Sequence, residues 1–237
     1  MSGGQVELVR VSDLESLVAA ARERFVALVG AALADRGSAS VVLTGGGAGI
    51  GLLKALRGAD LAWDKIDFYW GDERWVPAGH PERNDGQAFE ALLDHVPADP
   101  ARVFRMGAPG GGWATPEAAA EAYAEILPEG FDLHLLGMGE EGHINSVFPD
   151  TPAVREQAKP VLAVLDSPKP PPERITLTLP AIHRAREVWL LVSGAGKAAA
   201  AKAALGGAAP VDVPSSGAQG SERTVWFLDD AAAGELG

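Results

Sequence analysis

Apolar positions in residues 13–36, DLESLVAAARERFVALVGAALADR, recur three and four apart, which predicts a long amphipathic helix behind an Asp or Ser cap, with Asp13 near its start. The run SVVLTGGG is short and stops at glycines, so it predicts a buried strand, Val41 to Thr44, that breaks into a loop. The same strand-then-loop pattern recurs in IDFYWGDERWVP, with a strand over Ile66 to Trp70, and in FDLHLLGMG, EVWLLVSGAGK and TVWFLDD. Between them, ERNDGQAFEALLDHV predicts a helix entered through Asn84 or Asp85. TPEAAAEAYAEIL predicts one capped by Thr115 with Pro116 in its first turn, and KAAAAKAAL a third after a glycine turn. ERITLTLPAI alternates like a strand behind a Pro-rich segment. Strands alternating with helices imply an α/β fold, a mainly parallel sheet with helices on both faces. No repeat or linker is visible, and Ser167 to Pro172 reads as a loop, so residues 1–237 are expected to form a single domain.

Composition narrows the chemistry more than the fold. The 237 residues are 47% hydrophobic, and mean hydropathy is close to zero, as in an ordinary globular chain long enough for a sizeable core. No apolar run approaches the roughly 18 to 20 residues of a membrane span. The start MSGGQVELVRVSDLESL lacks a signal pattern, so a cytoplasmic protein without membrane contact is expected. With no cysteine, disulfides, thiol nucleophiles and cysteine-held metals are excluded, which leaves His, carboxylates, hydroxyls and cations. A net charge of −12 argues against nucleic acid as a partner. A small anion would need a local cluster drawn from the 20 Lys and Arg residues.

Four loops after strands carry the candidate chemistry. In LTGGGAGIG, the glycines let backbone approach a ligand and the following helix start attracts anions, so Thr44, Gly45, Gly46 and Gly47 are candidate phosphate or sugar binders. The spacing is neither that of a dinucleotide fingerprint nor that of a P-loop. In GDERWVP, Arg74 is a candidate for an anion or a developing oxyanion, with Asp72 orienting Arg74 or a substrate hydroxyl. The competing reading is a solvated turn holding an Asp72–Arg74 or Glu73–Arg74 pair. His80 lies nearby, but no His pair or HExxH motif accompanies it, so no metal is expected. In GMGEEGHINS, His143 is a candidate base near neutral pH, with Glu140 or Glu141 holding its other ring nitrogen and Gly139 and Gly142 leaving room for substrate. The fourth pair is Arg174, where a Pro-rich loop enters a strand, and Lys197, in the first turn of a helix. A cation there is disfavoured by the helix dipole unless a bound phosphate attracts both. Neither Ser146 nor Ser193 lies in G-x-S-x-G, so the chain offers an anion cradle and a base without a nucleophile.

GDERWVPAGHPERNDG, LGMGEEGHINSVFP, SPKPPPERITLTLPAI and VSGAGKA occur in an order and spacing that resembles 6-phosphogluconolactonases of the pentose phosphate pathway, within the glucosamine-6-phosphate isomerase/6-phosphogluconolactonase family. The resemblance runs from about Leu43 to Leu228. It implies a modified Rossmann-like sheet shared with glucosamine-6-phosphate deaminases and ribose-5-phosphate isomerases, with no dinucleotide and no cofactor. It implies that His143 is the base and Arg74 an electrostatic residue, and that Gly45 to Gly47, Arg174 and Lys197 bind the phosphate of a small sugar lactone. The expected assembly is a monomer or a small homo-oligomer. Where such proteins commonly have SGGSTP this chain has TGGGAG, which leaves Thr44 and backbone N–H groups to bind. Glu141 stands where Asp is common, and Phe148 precedes Pro149 where deaminases place a catalytic glutamate. The alternatives are an amino-sugar phosphate isomerase or deaminase, which Phe148 opposes, and a non-catalytic sugar-phosphate sensor. A sensor serving a transcription regulator would need a DNA-binding helix pair or a basic patch, and neither is visible.

Overall fold

The computed structural model describes residues 4–237, so the first three residues of the expected domain lie outside the described residues. The first half of the chain runs β1 (Gln5–Val11), α1 (Leu14–Arg36), β2 (Ala39–Leu43), α2 (Gly46–Ala55), β3 (Ile66–Trp70), β4 (Asp72–Arg74), α3 (Asn84–Ala91) and α4 (Pro116–Glu125). The second half runs β5 (Phe131–Gly137), α5 (Pro152–Arg155), β6 (Val161–Val164), β7 (Arg174–Leu177), α6 (Leu179–Ile182), β8 (Ala185–Val192), α7 (Ala198–Leu205) and β9 (Arg223–Asp229).

Six strands form a parallel sheet in the order β1-β9-β8-β5-β2-β3. Its central strands are mainly apolar because both faces are covered, although β5 also buries Asp132 and His134, and the period of two sorts their side chains. Val41, Leu43, Leu133, Leu135, Trp189, Leu191, Val225 and Phe227 pack with α1 and α2 on one face. Val42, Leu136, Val188, Leu190, Trp226 and Leu228 pack on the other with α4, α6, α7 and the second sheet. Helix α1 follows its expected course: Asp13 accepts the Ser16 N–H at 2.8 Å, and Leu17, Ala21, Phe25, Val29 and Ala32 form its buried stripe. The chain leaves β2 for β3 on one side and later returns to β5 on the other. The carboxyl ends of β2 and β5 therefore flank a topological switch point, where open sheets of this kind make a crevice.

A second sheet, β4-β7-β6, is antiparallel. The sequence reading missed β1, β4 and β6. Two of these strands have three or four residues, too few for alternation to register, and β4 is the charged triplet Asp72–Arg74. The alternating run after Arg174 also ends sooner than expected, passing at Leu179 into a single helical turn. Strand β4 follows β3 after Gly71 alone, which places Asp72 opposite Thr176 and Arg74 opposite Arg174 at the mouth of the crevice.

Glu73, between them, points into the protein and caps α3 from outside. Its carboxylate accepts the N–H groups of Asn84 at 2.8 Å and Asp85 at 2.9 Å, so neither expected entry residue caps the helix itself. Burial pushes Glu73 up to about 7. Beside it, buried Arg83 forks onto Asp85 at 3.0 and 2.9 Å and donates to Met106 O at 2.8 Å. This network fixes Asn84 against β4. Arg83→Met should leave two buried carboxylates poorly compensated and lower unfolding free energy by about 3–5 kcal/mol. Urea denaturation measures it, and a loss below about 1 kcal/mol would contradict the assignment.

Candidate active site

The crevice is a cleft of about 620 Å³ that gathers residues from all four expected loops: Thr44 to Gly47, Asp72 and Arg74, Glu140 and His143, and Arg174 and Lys197. Asn84, Asn145 and Lys169 join them, and none of the three was expected. Among the described residues, no group of three or more His, Asp or Glu is placed to hold a metal ion.

Helix α2 begins at Gly46, so the first N–H groups of a ten-residue helix lack intrahelical acceptors and lie along the cleft. Thr44 Oγ1 accepts the Gly137 N–H at 3.1 Å, which ties the ends of β2 and β5 together while leaving the hydroxyl proton unspent.

His143 sits in a tight loop in which the Gly139 N–H donates to His143 O at 2.9 Å. A Cβ on Gly139 would lie 1.9 Å from His143 Nδ1, so this glycine makes room for the imidazole and not for substrate. Of the two glutamates, Glu141 is the one beside the ring: its Oε1 is 3.1 Å from His143 Nδ1, although the approach falls outside hydrogen-bond alignment. Its Oε2 accepts from Lys169 Nζ at 2.9 Å. Glu140 instead packs against Gly196. On its other side the imidazole stacks on Phe148, with centroids 4.4 Å apart. Burial holds His143 below the ordinary histidine range; Glu141 opposes this and Lys169 adds to it. Glu141 is held at about 2, because its own backbone N–H, Lys169 and His143 outweigh the effect of its burial.

The Asp72–Arg74 and Glu73–Arg74 pairs considered from sequence do not form. The Arg74 guanidinium makes no ion pair with a carboxylate among the described residues: its NH1 donates to Glu82 O at 2.6 Å and Asn84 Oδ1 at 2.9 Å, while the backbone N–H of Arg74 donates to Glu73 Oε1 at 2.8 Å. Its buried Nε has no partner. Asp72 accepts from Ser146 Oγ at 2.7 Å and from Asn84 Nδ2 at 2.9 Å, so it orients Arg74 indirectly, through Asn84. Arg74 and Arg174 stand directly opposite across the antiparallel strands, an unfavourable pairing of like charges that Asp72 offsets with Oδ2 4.0 Å from Arg174 NH1.

Arg174 is more committed than expected. Nε donates to Pro171 O, NH2 to Lys169 O and Pro170 O, and NH1 to Ser146 Oγ at 3.3 Å. Four of its five donors hold the Pro-rich loop and Ser146 in place, which leaves one for a ligand. Burial lowers its pKa. Lys197 is not in the first turn of α7: it closes a single 3-10 turn just ahead of that helix. Its Nζ donates to Met138 O, and burial, with Lys169 nearby, lowers its pKa. The turn is anchored by Asp229, which accepts from Ser193 Oγ at 2.5 Å and from the Gly194 N–H at 3.1 Å.

The arrangement brings the His143 imidazole into one cleft with the start of α2 and with Arg74, Lys169, Arg174 and Lys197. A family model described as glucosamine-6-phosphate isomerases/6-phosphogluconolactonase matches residues 12–226. A 6-phosphogluconolactonase of Mycobacterium tuberculosis is 54% identical, covering 94% of this chain and 96% of its own. One of Streptomyces coelicolor is 50% identical, covering 97% and 94%. A solved 6-phosphogluconolactonase from Trypanosoma brucei superposes with a TM-score of 0.86 at 27% identity, over 99% of this chain and 100% of that one. The chain therefore belongs to the glucosamine-6-phosphate isomerase/6-phosphogluconolactonase family.

Proposed function

We propose that this protein hydrolyses 6-phospho-D-glucono-1,5-lactone to 6-phosphogluconate, the lactone-opening step of the oxidative pentose phosphate pathway, in the cytoplasm and without a cofactor. The observation that carries the reading is His143 itself: an imidazole kept below its usual pKa, flanked by Glu141 and backed by Phe148, at the mouth of a cationic cleft.

The phosphate binds at the start of α2, where Gly46, Gly47 and the Thr44 hydroxyl meet Lys197 and the remaining donor of Arg174. With Glu141 beside Nδ1, the ring carries its proton there and presents the Nε2 lone pair to water. The water oxygen bonds to the lactone carbonyl carbon, its proton passes to Nε2, and the carbonyl electron pair moves onto oxygen, facing Arg74. Collapse of the tetrahedral intermediate breaks the bond to the ring oxygen, which takes the proton back from Nε2. No covalent enzyme intermediate forms. A deaminase would need an acid where this chain has Phe148, whose ring supplies none.

His143→Ala should lower the catalysed rate by about a hundredfold to ten-thousandfold with the fold intact, measured on lactone generated in place with its spontaneous opening subtracted. An unchanged rate removes His143 from the mechanism. The pH profile gives a second check. The base acts when neutral, so kcat/KM should rise with pH through a midpoint below the ordinary histidine value of 6.5. The Glu141 charge raises the His143 pKa, so Glu141→Gln should move that midpoint to lower pH while reducing the plateau. A midpoint that moves upward would show that Glu141 does not act on the ring.

A further inference from the structure

Asn145 combines features that a loop position does not require. Its backbone is left-handed, with φ of 49°, a conformation that asparagine tolerates and that gathers at functional sites. The residue is 7% exposed and lines the cleft with Arg74 and His143. Its buried Oδ1 has no partner. A glycine makes the space it fills: a Cβ on Gly71 would lie 2.2 Å from that oxygen.

Behind the amide lies His134, on β5 and fully buried. Burial lowers its pKa to about 3, so its ring is neutral and carries one N–H. Nδ1 has no partner, and Nε2 lies 3.5 Å from Asn145 Nδ2. With the amide as placed, Asn145 Nδ2 donates one hydrogen to Nε2, so the ring proton lies on Nδ1. The second Nδ2 hydrogen has no other acceptor among the hydrogen bonds of the described residues.

We infer that Asn145, set by His134, is a substrate-contacting residue whose side-chain amide donates to the lactone carbonyl oxygen as negative charge develops on it. This rests on the lactonase reading above. Only Ile144 separates His143 from Asn145 on one loop, so a carbonyl carbon attacked by water on the imidazole lies at the end of the substrate that the amide serves. The neighbouring Arg74 supplies charge there, whereas a neutral amide supplies direction without strengthening ground-state binding of the phosphate.

The test is Asn145→Gly, which keeps the left-handed backbone and removes the amide, assayed on lactone beside the wild type. The expected result is a fall in kcat of about a hundredfold to a thousandfold, with KM changed less than about threefold and an unaltered thermal midpoint. A kcat within about threefold of wild type, or a loss confined to KM, overturns the inference. Asn145→Asp serves if the glycine variant unfolds, because it keeps the shape but, ionised, has no donor; wild-type kcat in that variant likewise overturns it. A wild type no faster than spontaneous opening would instead overturn the lactonase reading.

Discussion

A sheet buried on both faces can carry polar chemistry only at its ends, and this constraint organises the rest of the molecule. Alternate residues of β2, β5, β8 and β9 are committed to the two cores. Thr44, Gly139, His143 and Ser193 lie on loops that follow the carboxyl ends of β2, β5 and β8. The switch between β2 and β5 separates two of those loops enough to leave a cleft. The short antiparallel sheet then closes one side of it, bringing Arg74 and Arg174 opposite one another.

Charge is used locally against the trend of the whole chain. The protein carries a net charge of −12, yet Arg74, Lys169, Arg174 and Lys197 converge on one cleft. Each is restrained by the backbone or by a neighbour: Arg74 by Glu82 O and Asn84, Arg174 by three loop carbonyls, Lys197 by Met138 O, Lys169 by Glu141. Such restraint favours preorganisation, because the side chains do not have to be ordered again when an anion arrives. Burial, with Lys169 adding to it, keeps His143 neutral at a lower pH than a free imidazole.

Much of this was legible in the sequence because glycine and charge mark strand ends strongly. The helix behind Asp13, the strand before Thr44 and the four loops all stand where the apolar period breaks. What was not legible depended on contacts between distant segments. Glu73 caps α3 across the ten intervening residues, and Asn84 and Lys169 looked like a helix start and a proline-loop residue until β4 and β7 paired. Gly139 was assigned to substrate space, whereas only the folded loop shows that it accommodates the imidazole. Arg174 was legible as a cation but not as the anchor of the Pro-rich loop, since that role depends on the carbonyls of Lys169, Pro170 and Pro171 turning toward it.

The central claim is that His143 is a neutral base presenting Nε2 while Glu141 holds Nδ1. Nitrogen-15 NMR of the histidine side chains across pH, with His143→Gln used to assign the resonance, tests it most directly. The account predicts that above a midpoint lower than 6.5 the His143 ring is protonated at Nδ1 and free at Nε2. A ring that carries its proton on Nε2, or that stays charged through neutral pH, would contradict it.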